Sequence, residues 1–171
     1  VWTTGCISKL DGDGKAESYS KTTRTMTKSE SSETSEDFDA ADTTCAKAAM
    51  FTISATATFT VGEEVSTPAG ARAVDFSPTK IVVTLKNADT VSNFIEGKMC
   101  GKADWVINTE VDVTTSECEG DGQKMNATIY DIYDVDGSTL KFGDRNESKN
   151  GTTSALRPTS LSTKDDVFTK Q

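Results

Sequence analysis

The chemically able residues of this 171-residue chain are carboxylates, four cysteines and many hydroxyls, since the sequence holds no histidine. Without histidine there is no Ser-His-Asp or Cys-His nucleophile system and no His-ligated zinc site. Two acidic runs, Asp11-Gly12-Asp13-Gly14 and Asp134-Val135-Asp136-Gly137-Ser138, look like the start of a calcium loop. Such a loop needs a bidentate Glu at its twelfth position. That position holds Thr22 in the first run and Arg145 in the second. Both runs therefore read as hairpin turns, where Asp and Gly tolerate left-handed backbone. The adjacent carboxylates Glu63-Glu64 and Asp165-Asp166 remain for acid–base work. A glycosidase needs two carboxyls buried about 5–10 Å apart with separated pKa values. Neighbouring acids in polar stretches read instead as solvated surface. The expectation is a protein with no catalytic residues, no metal and no cofactor.

The cysteines, at 6, 45, 100 and 118, form an even set without CxxC spacing. That argues against a metal or thioredoxin-like redox role and for two disulfides in an oxidising compartment, secreted, cell-surface or periplasmic. Four cysteines allow three connectivities, and sequence alone does not choose among them. The local choice, Cys6–Cys45 with Cys100–Cys118, is the one expected; it ties the opening strand to a loop and staples the loop after Trp105. The chain opens on Val1 rather than Met, which reads as an N terminus processed or cut back.

Charge narrows the partners. With 27 Asp and Glu against 18 Lys and Arg, the net charge is −9. No basic stripe exists to displace counterions from nucleic acid. No apolar run approaches the roughly 20 residues of a membrane-spanning helix.

The elements that must position these groups read as strands. Hydrophobic residues make up only 35% of the chain, but Ser and Thr are abundant, and β-branched Thr suits a half-wetted strand. Period-2 alternation is clearest over Phe51, Ile53, Ala55, Ala57, Phe59 and Val61, with Thr or Ser between them. Further strands are expected at residues 1–7, 18–28, 71–76, 80–86 and 105–113, with 71–76 and 80–86 paired. The stretch 29–39 reads as a wet strand or a loop. Residues 88–99 form the one helical candidate, with Gly97 near its end. A Gly-rich loop follows at 119–122. Asp136-Gly137 between alternating stretches at 127–135 and 138–142 signals a hairpin. Residues 143–153 read as polar loop and 167–169 as a last strand. One domain, 1–171, is expected. About eight strands suit an antiparallel up-and-down barrel, which leaves no open edge. A β-sandwich is the alternative.

Four large aromatics, Trp2, Phe59, Trp105 and Tyr130, are the candidates to line a ligand pocket; the plainer reading has such aromatics plugging the core. Tyr130 and Ile132 share one face of their strand, and Tyr133 and Val135 the other. If the outer of these faces is bare, it is a surface for assembly. Asn126, Asn146 and Asn150 begin glycosylation sequons.

The opening Val1-Trp2-Thr3-Thr4-Gly5-Cys6 resembles the start of lipocalin-type barrels, where a Trp on the first strand closes one end. Asp42-Thr43-Thr44-Cys45, Thr58-Phe59-Thr60-Val61-Gly62 and Gly70-Ala71 leading to Val74-Asp75 follow in order. Leu140-Lys141-Phe142-Gly143-Asp144 and Arg157-Pro158-Thr159-Ser160-Leu161 complete the series. Together they are similar to the lipocalin-like module of the secreted Wnt-inhibitor family called adenomatosis-polyposis-coli-down-regulated, and to its bacterial secreted relatives. The resemblance implies a Cys6–Cys45 disulfide and an interior that binds a small apolar ligand. The competing expectation is a structural or interaction subunit of an extracellular filament, matrix or cell surface, partnered by itself or by another extracellular protein.

Overall fold

The computed structural model describes residues 1–118 and 123–171; the loop expected at 119–122 lies outside the described residues. Two short strands open the chain, β1 (Trp2–Thr3) and β2 (Ile7–Leu10), and both run along β3 (Ala16–Met26). The strand expected at 1–7 is thus interrupted. Over the break, the Thr4 N–H donates to the Thr22 carbonyl, and the Thr4 hydroxyl accepts from the Thr22 N–H. Next come β4 (Glu30–Asp39), β5 (Phe51–Glu64) and β6 (Arg72–Leu85), each antiparallel to its predecessor. The acidic stretch at 29–39 is a strand because β3 and β5 flank it and satisfy its backbone on both sides.

The remaining elements are α1 (Ala88–Glu96), β7 (Glu110–Asp112), β8 (Ile129–Asp136), β9 (Thr139–Phe142) and β10 (Val167–Lys170). Helix α1 starts where the Asn87 side chain caps the Thr90 N–H at 2.8 Å, and it stops at Gly97. The β8–β9 hairpin turns at Gly137, whose φ of 57° is the left-handed geometry expected of Asp-Gly.

The fold is all-β with one helix, as the alternation predicts. The described strands form one antiparallel sheet rather than the two of a sandwich. Trp2 pairs with Arg24 on one side and Lys170 on the other, so β1 joins β3 to β10. Eight strands thereby close into a ring in the order β1, β3, β4, β5, β6, β8, β9, β10. β2 and β7 extend from it, pairing only with β3 and β6 among the described residues.

Two expectations are corrected. The pattern predicts two paired strands at 71–76 and 80–86; the structure has one long strand, β6. Ser77-Pro78-Thr79 resembles a turn, but β5 pairs with β6 on both sides of it, and the register slips between Thr56 and Ala57. Proline, lacking an N–H, is tolerated in a strand at such a bulge. The extra residue, Thr79, donates its hydroxyl to the Thr56 carbonyl at 3.1 Å. The second correction concerns 105–113, where only β7 is a strand. Trp105 is buried in the core, and Val106 and Ile107 are exposed.

Two apolar clusters fill the interior. In the first, Val74, Phe76, Leu140, Phe142 and Phe168 are buried, with Trp2, Phe59 and Tyr133 against them. Phe142 is its centre, with ring centroids 5.8 Å from Phe76 and 5.9 Å from Phe168. In the second, Ile81, Val83, Leu85, Trp105 and Val113 pack with Phe51, Ile53, Val91 and Phe94. Here α1 lays Phe94 against Trp105 at 5.2 Å and Phe51 at 5.5 Å. That contact covers the inward faces of β5 and β6 beyond the point where β8 leaves β6.

Candidate functional site

Along the inward face of β5 the side chains run large, large, small, small, large: Phe51, Ile53, Ala55, Ala57, Phe59. The two alanines leave space between the apolar clusters. A cavity of about 460 Å³ lies there, with Phe76, Ile81, Met125, Ile129 and Phe142 among its apolar walls. Six charged residues also line it, three of each sign: Arg24, Lys124 and Arg145 with Glu33, Asp131 and Asp166.

Strand geometry explains how these charges come inside. Residues opposite one another in an antiparallel pair share a face. Arg24 is opposite both Trp2 and Glu33, so all three point inward. The Arg24 guanidinium lies over the Phe142 ring at 4.3 Å, and its Nε donates to Glu33 Oε2 at 2.6 Å. Its Nη2 donates to the same oxygen. Arg24 is thereby committed to a cation–π contact and a carboxylate.

Asp131 is opposite Val74 on β6, which turns it inward too. Its side chain is 5% exposed. Oδ1 accepts from the N–H of Ile132 at 2.8 Å and of Gly143 at 3.0 Å. Arg145 stands between the last two acids, 3.9 Å from Asp131 Oδ2 and 3.8 Å from Asp166 Oδ2. Burial pushes the Asp131 carboxyl up to about 6, against the pull of Arg145 and the two N–H donors, and nearby Asp166 adds to the rise. Burial raises Asp166 as well, opposed by Arg145 and Arg24 and reinforced by Glu33 and Asp165.

The sign of the resulting pH dependence follows. A folded pKa above the unfolded value means that the native state binds the proton more tightly. This contribution to stability is complete below the unfolded value of 3.8 and is lost as pH rises through about 6. A shift of that size corresponds to about 3 kcal/mol. Asp131→Asn keeps an oxygen for the two N–H groups and removes the buried charge. The variant is expected to unfold at a higher temperature than the wild type at neutral pH and to show a flatter dependence between about pH 4 and 6. Thermal unfolding followed by circular dichroism across that window checks it. A variant less stable than wild type at neutral pH would sink the claim.

Outside β8, the segment 144–162 folds back as a strap. Gly151 accepts from the Tyr130 N–H at 2.8 Å, and Asp144 donates to Ser160 at 2.8 Å. Arg157 is its rivet: Nη1 reaches the carbonyls of Val74 and Asp131, Nη2 reaches Asp75 Oδ1 at 2.6 Å, and the guanidinium lies 5.5 Å from the Tyr130 ring centroid. Ile132 beneath the strap is 0% exposed. The outward face of β8 is therefore covered by the chain itself, and the assembly surface expected there is not bare.

None of the four predicted pocket residues lines the cavity. Trp2 and Phe59 pack in the first cluster and Trp105 in the second, while Tyr130 lies on the outer face of β8 under Arg157. The lining residues that sequence reasoning passed over had two signals. One was the pair of alanines in an otherwise bulky row, and the other was charge at positions that share a face with Trp2. Both expected disulfides, Cys6–Cys45 and Cys100–Cys118, are present. Asn126, Asn146 and Asn150 are exposed, and Asn150 is part of the cavity lining. Asp11 Oδ1 accepts from the N–H groups of Asp13 and Lys15, the expected turn. Among the described residues, no group of three or more His, Cys, Asp or Glu is placed to hold a metal, and no helix is long and apolar enough to cross a membrane.

Fold and site together define a disulfide-linked, all-β protein whose eight-strand ring borders an amphipathic cavity that is partly open to solvent. Comparison with known proteins finds no matching family model and no matching curated protein.

Proposed function

We propose that this is a secreted, non-enzymatic binding protein that holds a small, largely apolar molecule inside its ring, in the manner of a lipocalin-like module. The observation that carries the reading is the partly open cavity of about 460 Å³ between the two apolar clusters. Small-molecule sites span roughly 300–1,000 Å³ and combine apolar walls with a few placed polar groups. The disulfides support an oxidising compartment. Arg24 and Glu33 saturate one another, which leaves no poised nucleophile on that wall.

Native mass spectrometry of protein purified from its source is expected to retain a small-molecule adduct. Titration with the neutral dye Nile red is expected to saturate at one site, and Ala57→Phe, which fills the space beside Phe76, is expected to abolish saturation. Protein that carries no adduct and takes up no dye would overturn the reading. A second reading, an interaction subunit of an extracellular assembly, is favoured by the edges of β2 and β7, each paired on one side only among the described residues. A ladder of oligomers in the same spectrum would support it.

A further inference from the structure

We propose that Asn126, Asn146 and Asn150 carry N-linked glycans and that these sugars stand around the mouth of the cavity, shielding it. The attachment is independent of the binding function proposed above; the shielding rests on it.

Each of the three begins an Asn-X-Ser/Thr acceptor whose middle residue, Ala127, Glu147 or Gly151, is not proline. The fold brings the three together. Segment 123–128 leads into β8 and segment 144–152 leaves β9, so the β8–β9 hairpin returns its own flanks to one end. Across those flanks the Tyr130 N–H donates to the Gly151 carbonyl at 2.8 Å. Met125 and Ala127, on either side of Asn126, line the cavity, and so do Arg145, beside Asn146, and Asn150 itself. The acceptors therefore stand on two lips of one partly open cavity, and all three asparagines are exposed. The chain's other asparagines, Asn87, Asn93 and Asn108, lack a hydroxyl two residues on. They belong to the cap and body of α1 and to the turn before β7.

Local bonding leaves the reacting atom free. The Ala127 N–H donates to the Lys124 carbonyl at 2.9 Å, which sets Asn126 in a tight turn. Asn146 Oδ1 accepts from the Ser148 N–H at 3.0 Å, the Ser148 hydroxyl at 2.8 Å and the Lys149 N–H at 3.1 Å. Asn150 Oδ1 accepts from the Thr152 N–H at 3.1 Å and the Thr152 hydroxyl at 2.8 Å. Backbone donors at both fix which end of the amide is oxygen. Among the described residues, Nδ2 of these asparagines donates no hydrogen bond, so a sugar placed there breaks none. In the transfer, Nδ2 attacks the anomeric carbon of a pyrophosphate-activated oligosaccharide. The N–C bond forms as the C–O bond to pyrophosphate breaks. Pyrophosphate leaves with that electron pair, and one Nδ2 proton goes to solvent. Disulfide formation at Cys6–Cys45 and Cys100–Cys118 in an oxidising secretory compartment fits this chemistry. Bulky, hydrophilic chains on both lips narrow the approach to the cavity.

Protein purified from its source and treated with peptide N-glycosidase in heavy-oxygen water tests the attachment, because the enzyme turns each glycan-bearing Asn into a labelled Asp. Peptide mapping is expected to find the label at position 126 and at one or both of positions 146 and 150. Asn87, Asn93 and Asn108 are expected to stay unlabelled. Label on one lip alone, or on neither, overturns the proposal and leaves the binding function standing. Stopped-flow uptake of Nile red, before and after deglycosylation of the folded protein, reads the shielding. The dye is neutral, so the carboxylates created by the enzyme do not steer it. Its uptake is expected to quicken at least about twofold once the sugars are gone. An equal rate overturns the shielding. Dye bound by neither form, with the label in place, overturns the binding function and the shielding that rests on it, while the attachment stands.

Discussion

An alanine at position 143 is expected to cost about 4 kcal/mol of folding stability, although it adds a single methyl group. Gly143 is buried at the end of β9, bridged to Leu161, and its N–H donates to Asp131 Oδ1 at 3.0 Å. A Cβ there would stand 2.4 Å from that oxygen and 2.5 Å from Pro158 Cβ. Both distances lie far inside the van der Waals contact of about 3.5 Å. Neither neighbour can yield cheaply. Asp131 is also held by the Ile132 N–H, and Pro158 follows Arg157, the residue that fastens the strap to β6 and β8. If the strap moves, the Arg157 contacts loosen; if Asp131 turns, a buried N–H loses its charged acceptor. Overpacking costs about 1–3 kcal/mol, and losing a hydrogen bond to a charged group about 1.5–3. Gly12→Ala is the control, because a Cβ there meets nothing within 4 Å. It is expected to stay within about 0.5 kcal/mol of wild type. Urea unfolding of the two variants checks the contrast, and a Gly143→Ala midpoint equal to wild type would contradict it.

The same neighbourhood shows what was legible in the residues and what was not. The row from Phe51 to Phe59 announced a strand with one buried face, because side-chain period is a local property. That Ala55 and Ala57 mark a cavity was not legible. A void depends on the opposite wall, and that wall comes from β6, β8 and a segment more than sixty residues away in sequence. Arg24 sits in a run of Thr, Lys and Arg that reads as a solvated strand. Its burial follows from Phe142 and Phe168, which arrive at the end of the chain to cover it. Ser77-Pro78-Thr79 misled for a related reason: turn chemistry is local, but pairing with a fourteen-residue β5 is not, and the longer ladder won. Residues 105–113 alternate as a strand should. Trp105 instead plugs the second cluster, and the Asn108 N–H is taken by the Leu85 carbonyl, leaving three residues to pair. The large aromatics were sought as pocket walls, yet size fills space. The open space lies beside the smallest inward residues and is rimmed by charge, a combination that hydrophobic patterning does not register.

Removing the Cys6–Cys45 disulfide by replacing both cysteines with alanine is expected to destabilise the protein by about 4 kcal/mol, against about 3 for the same change at Cys100–Cys118. The ordering comes from the chain closed by each bridge, 39 residues of sequence separation in the first and 18 in the second. The longer loop loses more freedom in the unfolded chain when it is tied. Native structure reinforces the ranking. Cys6 lies in the break between β1 and β2, and Cys45 lies in the β4–β5 loop with a left-handed φ of 51°. The Asp42 carboxylate braces that loop by accepting from the N–H groups of Lys47 and Ala46, bonds that hold its pKa below the usual value, the Lys47 bond most of all. The bridge therefore anchors the opening segment to a rigid loop. That segment needs an anchor, because β1 closes the ring with only two residues and β2 pairs only with β3 among the described residues. Loosening it frees Trp2, which shares a face with Arg24, so the wall of the cavity loosens as well. Guanidinium unfolding under non-reducing conditions reads the two stabilities, and Nile red uptake reads the wall. If Cys100–Cys118 proves the costlier bridge to lose, closure of the ring does not depend on β1 in the way its pairing indicates.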